Sequence, residues 1–327
     1  MFILITLIIV EIIVISHELG HFFIAKLFSV EVNEFSIGFG PLIFRWGKNK
    51  TKYSLRAFFL GGFVSFNEDR KFLDLSVFKR MFIVLAGPFF NFLAGFLAIF
   101  FVLFLQGRFN STEVFETKNY CKEIKICDNI KKINGKKILC ANDLVYKLSR
   151  IPIDQPVNLT VERNKKTIEL FDVGKIIKTK DGKKRSLGFS LKVKKINFLN
   201  CFNETFKNFI FFMKLIFSSI FNFLSGNVSV HEFSGPVGLM RTVGRVEKEG
   251  IFSLIFLFSF LSINIGAFNL LPFIILDGGQ FLFLVFELIF RRKIKKNIQN
   301  ILNFSGALIL ILLFVIISIK DIYMIFF

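Results

Sequence analysis

The chain has 327 residues, of which 53% are hydrophobic and 49 are phenylalanine, and its formal net charge is +19. This apolar content is too high for an ordinary soluble protein and predicts several transmembrane helices. Because the aromatic residues lie in hydrophobic runs rather than among the lysines and arginines, we attribute the charge to membrane topology and anionic lipid headgroups, and we expect no nucleic-acid partner.

The first apolar run, Phe2 to Phe28, contains the sequence His17-Glu18-Leu19-Gly20-His21. On a helix, His17 and His21 are four residues apart and project from one face, so both imidazoles can bind one metal ion. Glu18 lies beside them, where it can hold and deprotonate a water molecule. Ionisable residues at bilayer depth are costly and are functional candidates. The motif predicts a zinc-dependent hydrolytic site inside a membrane; a proton relay or a transport site is the alternative.

Residues 29–70 are predicted to form a β-element rather than a membrane span or an ordinary loop. Val30 to Ile37 alternates as a strand does, and Tyr53 to Phe66 indicates a strand pair that is bent at Gly61-Gly62. An open edge of this element, close to the metal-binding helix, could pair with an extended peptide.

Three later apolar runs are long enough to cross a hydrocarbon core of about 30 Å: Met81 to Leu105, Ile251 to about Phe290, and Ile301 to Ile319. Ile251 to Phe290 is too long for one simple span and is expected to break at Pro272 and at Asp277-Gly278-Gly279. Basic residues flank these runs at Lys26 to Lys52, Lys71 to Arg80 and Arg291 to Lys296. The positive-inside rule places these flanks in the cytoplasm, with both termini and residues 106–250 outside.

Catalytic zinc needs a third protein ligand, and Asp277 is the best candidate. It lies deep in an apolar run, where an unpaired carboxylate is costly and metal binding would offset the cost. Gly278 and Gly279 would let the backbone break and the carboxylate turn inward. The alternative is that Asp277 caps a helix at the cytoplasmic interface. His231, the remaining histidine, lies in a polar stretch and is interpreted as a surface residue.

Three asparagines lie in apolar sequence. Asn264 and Asn269 precede Asp277 in the same run. Their carboxamides could hold a substrate backbone or stabilise a developing oxyanion, or they could join helices by hydrogen bonds. Asn91 allows the same two interpretations. Glu11 need not share the metal-binding face, and we assign it no role.

The polar middle of the chain predicts one small β-rich domain over residues 111–195, which either binds peptides or is a spacer. Residues 204–224 place apolar side chains at helical spacing and are expected to lie along the outer membrane surface rather than to form a fifth span. The four cysteines are expected to be free thiols, with a Cys121–Cys127 disulfide as the alternative.

Together these elements resemble the site-2 protease family of intramembrane zinc metalloproteases, peptidase family M50. They are most similar to its bacterial regulator-of-sigma-E-protease-like branch, which carries periplasmic PDZ domains and cleaves anti-sigma factors. The resemblance covers nearly the whole chain and rests on the order and spacing of six motifs: HELGH at 17–21, FSIGFGP at 35–41, LGGFV at 60–64, AGPFFNF at 86–92, SGPVG at 234–238, and NLLP at 269–272 followed by LDGG at 276–279.

The resemblance implies zinc bound by His17, His21 and Asp277, with Glu18 as the general base. It also implies that Asn264 and Asn269 help to hold substrate. The edge at Gly61, Gly62, Phe63 and Val64 would belong to a membrane re-entrant β-element that pairs with the unwound substrate helix. The external domain matches a single PDZ-like module. Gln280 stands where the family often has histidine.

The predicted fold is an α-helical polytopic membrane protein with four transmembrane helices, a membrane re-entrant β-element and one periplasmic PDZ-like α+β domain. The predicted segments are a first span at 1–28, the β-element at 29–70, a second span at 78–106, the PDZ-like domain at 111–195, a periplasmic amphipathic helix region at 199–248, a third span at 251–290 and a fourth at 300–320.

The predicted activity is that of a zinc metalloendopeptidase in the bacterial inner membrane. It would hydrolyse peptide bonds within transmembrane segments of single-span proteins, such as anti-sigma factors or remnant signal peptides. Both termini and the PDZ-like domain would be periplasmic, and the active site would lie toward the cytoplasmic side. Membrane lipid is the other expected partner. The alternatives are a catalytically silent PDZ adaptor, and a metal or proton transporter, although the internal repeats expected of a transporter are not seen.

Overall fold

The computed structural model describes residues 2–47, 51–66, 74–118, 123–179, 182–226 and 235–326. The chain divides into two compact units. One comprises residues 1–98 and 215–327, and the other comprises residues 99–214. We call them the membrane unit and the middle unit.

The helices are α1 (Phe2–Leu27), α2 (Val77–Gln106), α3 (Ala141–Ser149), α4 (Phe198–Leu224), α5 (Pro236–Glu247), α6 (Ile251–Asn269), α7 (Asp277–Phe290) and α8 (Lys296–Phe326). The strands are β1 (Val32–Trp46), β2 (Lys52–Phe66), β3 (Arg108–Thr117), β4 (Asn129–Ile133), β5 (Lys136–Lys137), β6 (Leu159–Arg163), β7 (Lys166–Leu170), β8 (Lys175–Thr179), β9 (Gly182–Ser186) and β10 (Phe189–Lys195).

Within the described residues, four helical segments are long and apolar enough to cross a membrane: Phe2–Leu27, Val77–Gln106, Ile251–Asn269 and Asn297–Tyr323. The last of these exposes most of its apolar side chains, as expected of a helix that faces lipid. The chain is therefore a multi-pass membrane protein.

The third apolar run breaks once, between α6 and α7, and α7 begins at Asp277. The expected break at Gly278-Gly279 was wrong, because both glycines lie in the first turn of α7. A Cβ at Gly278 would fall 2.3 Å from the Leu270 carbonyl oxygen, and one at Gly279 would fall 2.3 Å from the Phe273 carbonyl oxygen. These glycines therefore allow α7 to pack directly on the preceding loop.

Helices α1, α2 and α6 pack closely through small residues. A Cβ at Gly20 of α1 would lie 2.3 Å from the Ala86 carbonyl oxygen of α2, and one at Gly95 of α2 would lie 2.9 Å from the Ser259 carbonyl oxygen of α6. Ser262 donates a 2.8 Å hydrogen bond to the Asn91 carbonyl oxygen. Small residues and serine-to-backbone hydrogen bonds are typical of membrane helix interfaces.

Strands β1 and β2 bend back on each other to form a four-segment antiparallel sheet. Ser36 lies opposite both Phe63 and Ser54, and Trp46 lies opposite Tyr53. The segments are therefore ordered 62–66, 32–37, 52–56 and 42–46. Gly38 supplies the left-handed backbone at the bend of β1, with φ of 85°. Residues 62–66 form one edge of this sheet.

The middle unit contains a sheet of order β10-β3-β4-β6-β7, with β5 paired to β4. Its core is aliphatic and includes Val114, Ile130, Leu144, Val157 and Leu159. Strand β4 buries Ile130 and Ile133, which lie on either side of a register shift in its pairing with β6, and β6 buries Leu159 and Val161 in the same core. This is a small α+β fold in which β10 lies at the sheet edge.

The predicted amphipathic region at 199–248 contains two helices, α4 and α5. The polar side chains of Glu204, Thr205 and Asn208 on α4 are buried, whereas apolar side chains of the same helix, Phe198, Leu199, Phe202 and Phe206, are exposed. Asn142 at the start of α3 donates a 2.8 Å hydrogen bond to Asn208 Oδ1. The polar face of the first half of α4 therefore packs within the middle unit, and the placement of its apolar face along the outer membrane surface stays a prediction.

Among the described residues, Cys127, Cys140 and Cys201 form no disulfide with one another. Cys121 and His231 lie outside the described residues, so the predictions for the Cys121–Cys127 pair and for a surface His231 stay predictions.

Candidate metal centre

His17, His21 and Asp277 meet at one point in the membrane unit. His17 Nε2 lies 3.0 Å from Asp277 Oδ2, His21 Nε2 lies 3.5 Å from the same oxygen, and the two Nε2 atoms are 3.2 Å apart. The histidines come from adjacent turns of one face of α1, and Asp277 is the first residue of α7. Asp277, which is 256 residues from His21 in sequence, thus joins one cluster with the two histidines.

This cluster fits a zinc ion in four respects. Ligands at 2.0–2.1 Å in a tetrahedral site are about 3.3 Å apart, close to the distances found here. Asp277 Oδ2 is buried and has no partner of hydrogen-bond geometry among the described residues. A Cβ at Gly87 of α2 would lie 2.4 Å from His21 Nε2 and 2.7 Å from His17 Nε2, so only glycine leaves this space open. The donor set of two imidazoles and a carboxylate is one that catalytic zinc uses.

The outer nitrogens of both histidines have partners on α2. His21 Nδ1 lies 2.8 Å from the Ile83 carbonyl oxygen, which fixes a proton on Nδ1 and leaves Nε2 free to bind metal. His17 Nδ1 lies 3.4 Å from Asn91 Nδ2, and Asn91 Oδ1 is buried without a partner among the described residues. Exchanging the amide oxygen and nitrogen lets Oδ1 accept the His17 Nδ1 proton and satisfies both groups. Asn91 therefore orients His17.

Glu18 faces the edge segment 62–66 of β2. A Cβ at Gly62 would lie 3.3 Å from Glu18 Cγ, and the Val64 backbone N–H donates to the Glu18 carboxylate. The carboxylate therefore lies between the metal-binding histidines and a sheet edge. The structure thus brings Gly62 and Val64 to Glu18; Phe63 lies on the same segment, and Gly61 immediately precedes it.

Asn264 and Asn269 both lie on α6, half-buried, and Asn269 is the last residue of that helix. Asn269 precedes the loop that leads to Asp277. Their roles toward substrate stay predictions.

The sequence analysis missed three features near the site. Glu11 Oε2 accepts a 3.1 Å hydrogen bond from the Gly61 backbone N–H; the seven-residue spacing of Glu11 and Glu18, two helical turns, would have indicated a shared face. Arg80, counted above only as a basic flank, is buried and forms a bidentate ion pair with Glu287 of α7. No local signal distinguishes Gly87 from any other glycine at a helix contact.

The model of the family described as Peptidase family M50 matches residues 5–313. The chain belongs to peptidase family M50. A protein of Fusobacterium nucleatum is 34% identical, with 99% of each chain covered. Proteins of Clostridium perfringens (29%, with 98% of each chain covered) and Campylobacter jejuni (28%, with 97% of this chain and 92% of the relative covered) are also similar. All three are named as predicted zinc metalloproteases.

Membership of the site-2 protease family confirms the resemblance drawn from the motifs. The predicted enzyme class and cofactor are also confirmed: the chain is a zinc metalloprotease. The cluster of His17, His21 and Asp277 is the group of described residues that fits such an ion.

Proposed function

We propose that this metalloprotease cleaves peptide bonds within the transmembrane segments of single-span proteins. The observation that carries the proposal is the position of its three candidate ligands, which lie on a helix apolar enough to cross a membrane and on the helix that follows another such span. A soluble substrate would not reach such a site readily, whereas a substrate helix in the same bilayer can approach it sideways.

Different residues of the chain have different proposed roles in peptide hydrolysis. Bound zinc supplies Lewis-acid chemistry by polarising the attacking water and the scissile carbonyl. Glu18 is placed to accept the proton of the attacking water and then to deliver it to the leaving amine. Asn264 and Asn269 are proposed to hold the substrate backbone or the developing oxyanion. Asn91 and the Ile83 carbonyl hold the two imidazoles in the orientation that binding needs.

A substrate helix must unwind before hydrolysis, because its carbonyl groups are hydrogen-bonded along the helix. The edge segment 62–66 offers backbone groups to an extended strand beside Glu18, so strand addition would hold the unwound segment open. The bent end of the same sheet, next to Gly61, and the strands beside it expose Phe39, Leu42, Phe44, Phe58 and Phe59. This apolar tip supports insertion of the β-element into the membrane from the cytoplasmic side.

The basic flanks support an orientation with both termini and the middle unit outside the bacterial inner membrane. The small sheet, edge strand β10 and helix α3 of the middle unit support a PDZ-like module. Anti-sigma factors and remnant signal peptides are the proposed substrate classes, since both are single-span segments.

The deciding experiment incubates the purified protein with a single-span test substrate in detergent and compares wild type with Glu18→Gln. General acid–base catalysis contributes about 10²- to 10⁴-fold, so Glu18→Gln should lose cleavage to at least that extent while it retains zinc. Addition of a chelator should abolish wild-type cleavage and added zinc should restore it. Equal cleavage by both forms, or cleavage confined to soluble loops of the substrate, would contradict the proposal.

A further inference from the structure

Glu11 is a second acidic residue on α1, and its surroundings link it to the active site. It is the only charged residue between Phe2 and Ile15. Its Oε2 accepts the Gly61 backbone N–H at 3.1 Å, and its Oε1 is buried with no hydrogen-bond partner among the described residues. Placing a carboxylate in an apolar helix costs free energy, and one hydrogen bond from a backbone amide offsets only a small part of that cost. Such a residue calls for a functional explanation.

The spacing of the contacts supplies that explanation. Glu11 and Glu18 are seven residues apart, which is about 10.5 Å along a helix. Gly61 and Val64, whose N–H groups these two carboxylates accept, are three residues apart, which is about 10 Å along a strand. Helix α1 and this part of β2 therefore run side by side in the same direction, and two carboxylates hold the strand at matching intervals.

Gly61 is the point at which the strand can be held in this way. Its φ is 134°, and a Cβ there would lie 2.0 Å from the ring of Phe39. The backbone therefore turns toward α1 at a position that other residues do not tolerate. The turn presents the Gly61 N–H to Glu11, and the edge segment begins at the next residue.

We propose that Glu11 is a positioning residue that fixes the register of the edge segment 62–66 against the active site. By holding Gly61, it keeps Val64 beside Glu18, so a substrate strand that takes the Val64 N–H from Glu18 presents one defined peptide bond to the metal centre. The proposal rests on the proposed function for its consequence in catalysis, but the contact itself can be measured without any substrate.

The first test is hydrogen exchange of the segment 59–66 in the purified, zinc-loaded protein. Glu11→Leu removes the acceptor and should speed exchange of the Gly61 amide about tenfold, whereas Glu11→Gln keeps an acceptor oxygen and should leave exchange close to wild type. Thr6→Val is the matched control, because among the described residues the hydrogen bond of Thr6 Oγ1 stays within its own helix, to the Phe2 carbonyl oxygen. Unchanged exchange in Glu11→Leu overturns the proposal.

The second test separates KM from kcat with the single-span substrate. Glu11→Leu should raise KM about tenfold while kcat and zinc content stay near wild type, and Glu11→Gln should restore KM. A fall in kcat or zinc content with KM unchanged would overturn the positioning role. If wild type shows no Glu18-dependent cleavage, the proposed function fails, and the exchange result still decides whether Glu11 holds Gly61.

Discussion

At the scale of single residues, the metal centre depends on space as much as on ligands. The two histidines and Asp277 provide the donor atoms, but α2 must pass against them without a side chain at position 87. The ring orientations are then set from the same helix, by the Ile83 carbonyl and by Asn91. About two turns of α2, from Ile83 to Asn91, thus shape the site without contributing a ligand.

Gly87→Ala should disrupt this arrangement directly. The added methyl group would lie 2.4–2.7 Å from ring atoms of both histidines, so at least one imidazole must move. A displacement of about 1 Å at a catalytic site can cost about 100-fold in activity, and we expect a loss of that order together with weaker zinc retention. Gly306→Ala is the control, because a Cβ there meets nothing closer than 3.7 Å. Full activity in Gly87→Ala would contradict the packing described.

Asn91→Leu should weaken zinc binding by about 10- to 100-fold, the usual effect of removing a partner of a metal-bound histidine. Zinc affinity is measured by competition with a chelator of known affinity. Ser262→Ala is the matched variant: it removes a hydrogen bond to the Asn91 backbone but leaves the carboxamide in place. An equal loss of zinc affinity in both variants would indicate a general packing defect instead of an effect on His17.

The ligands could be predicted from sequence, and their supports only in part: Asn91 was a candidate for a hydrogen bond between helices, but its partner, His17, was not predicted. His17, Glu18 and His21 are spaced as a helix requires, and Asp277 is conspicuous because it is an acid in apolar sequence. Gly87 and Asn91 lie on a different helix, and their meaning depends on which turn of α2 faces α1. Which turn of α2 faces α1 is set by tertiary packing, and no periodic pattern in the sequence indicates it.

At the scale of elements, the relation between α2 and α7 matters because α2 shapes the site and α7 carries Asp277. A bidentate ion pair joins them: Arg80 Nη2 and Nη1 lie 2.7 and 3.0 Å from the two Glu287 oxygens. Arg80 also donates to the Leu75 carbonyl oxygen. With side-chain exposures of 5% and 15%, the pair is largely removed from water.

Breaking this pair by Arg80→Met should destabilise the protein by about 3 kcal/mol, because it leaves a buried carboxylate without its partner. The double variant Arg80→Met, Glu287→Met should recover much of the loss, since both charges are then removed and no buried charge is left without a partner. Thermal unfolding in detergent provides the measurement. Lys131→Met is the control: the Lys131–Glu162 pair is exposed, and its loss should cost about 1 kcal/mol or less. Additive losses in the double variant would contradict the coupling.

The contact between α3 and α4 in the middle unit predicts an unreactive thiol. Burial raises the pKa of Cys140 to about 11, so at pH 8 only about one thiol in a thousand is ionised. Because the thiolate is the reactive form, Cys140 should react with iodoacetamide at least about 100-fold more slowly than the exposed Cys127 at pH 8. Mass spectrometry of digested protein gives both rates. Comparable rates would show that this contact opens readily.

Helices and strands could be predicted from sequence where a single hydrophobic period dominated the segment. The apolar runs gave α1, α2 and α8, and alternation gave the start of β1. Prediction was incomplete where the role of a residue depends on its neighbours in space. The apolar spacing of α4 indicates a membrane surface, which stays a prediction, but it did not indicate that Glu204 and Asn208 are buried within the middle unit. Gly278 and Gly279 indicate a break by composition, whereas in the structure they bring the first turn of α7 against a loop.

At the scale of the whole molecule, the four apolar helices establish a multi-pass protein, and the basic flanks determine its proposed orientation. Arg80 is less informative than the others, because it is buried in an ion pair. The segment Arg291 to Lys295 between α7 and α8 is exposed at four of its five positions, as expected of a short cytoplasmic connection. Orientation is therefore best tested by comparing this connection with the middle unit.

Labelling with a membrane-impermeant maleimide makes that comparison. In a variant with Cys121, Cys140 and Cys201 replaced by serine, the exposed Cys127 should be labelled in spheroplasts. In a variant without native cysteines, Lys295→Cys should be labelled only after the membrane is disrupted, because the positive-inside rule places this connection in the cytoplasm. The cysteine-free chain sets the background, and zinc-dependent cleavage shows that each variant is folded. Labelling of Lys295→Cys in intact spheroplasts with Cys127 protected would invert the proposed topology, and it would place the metal centre toward the outer face.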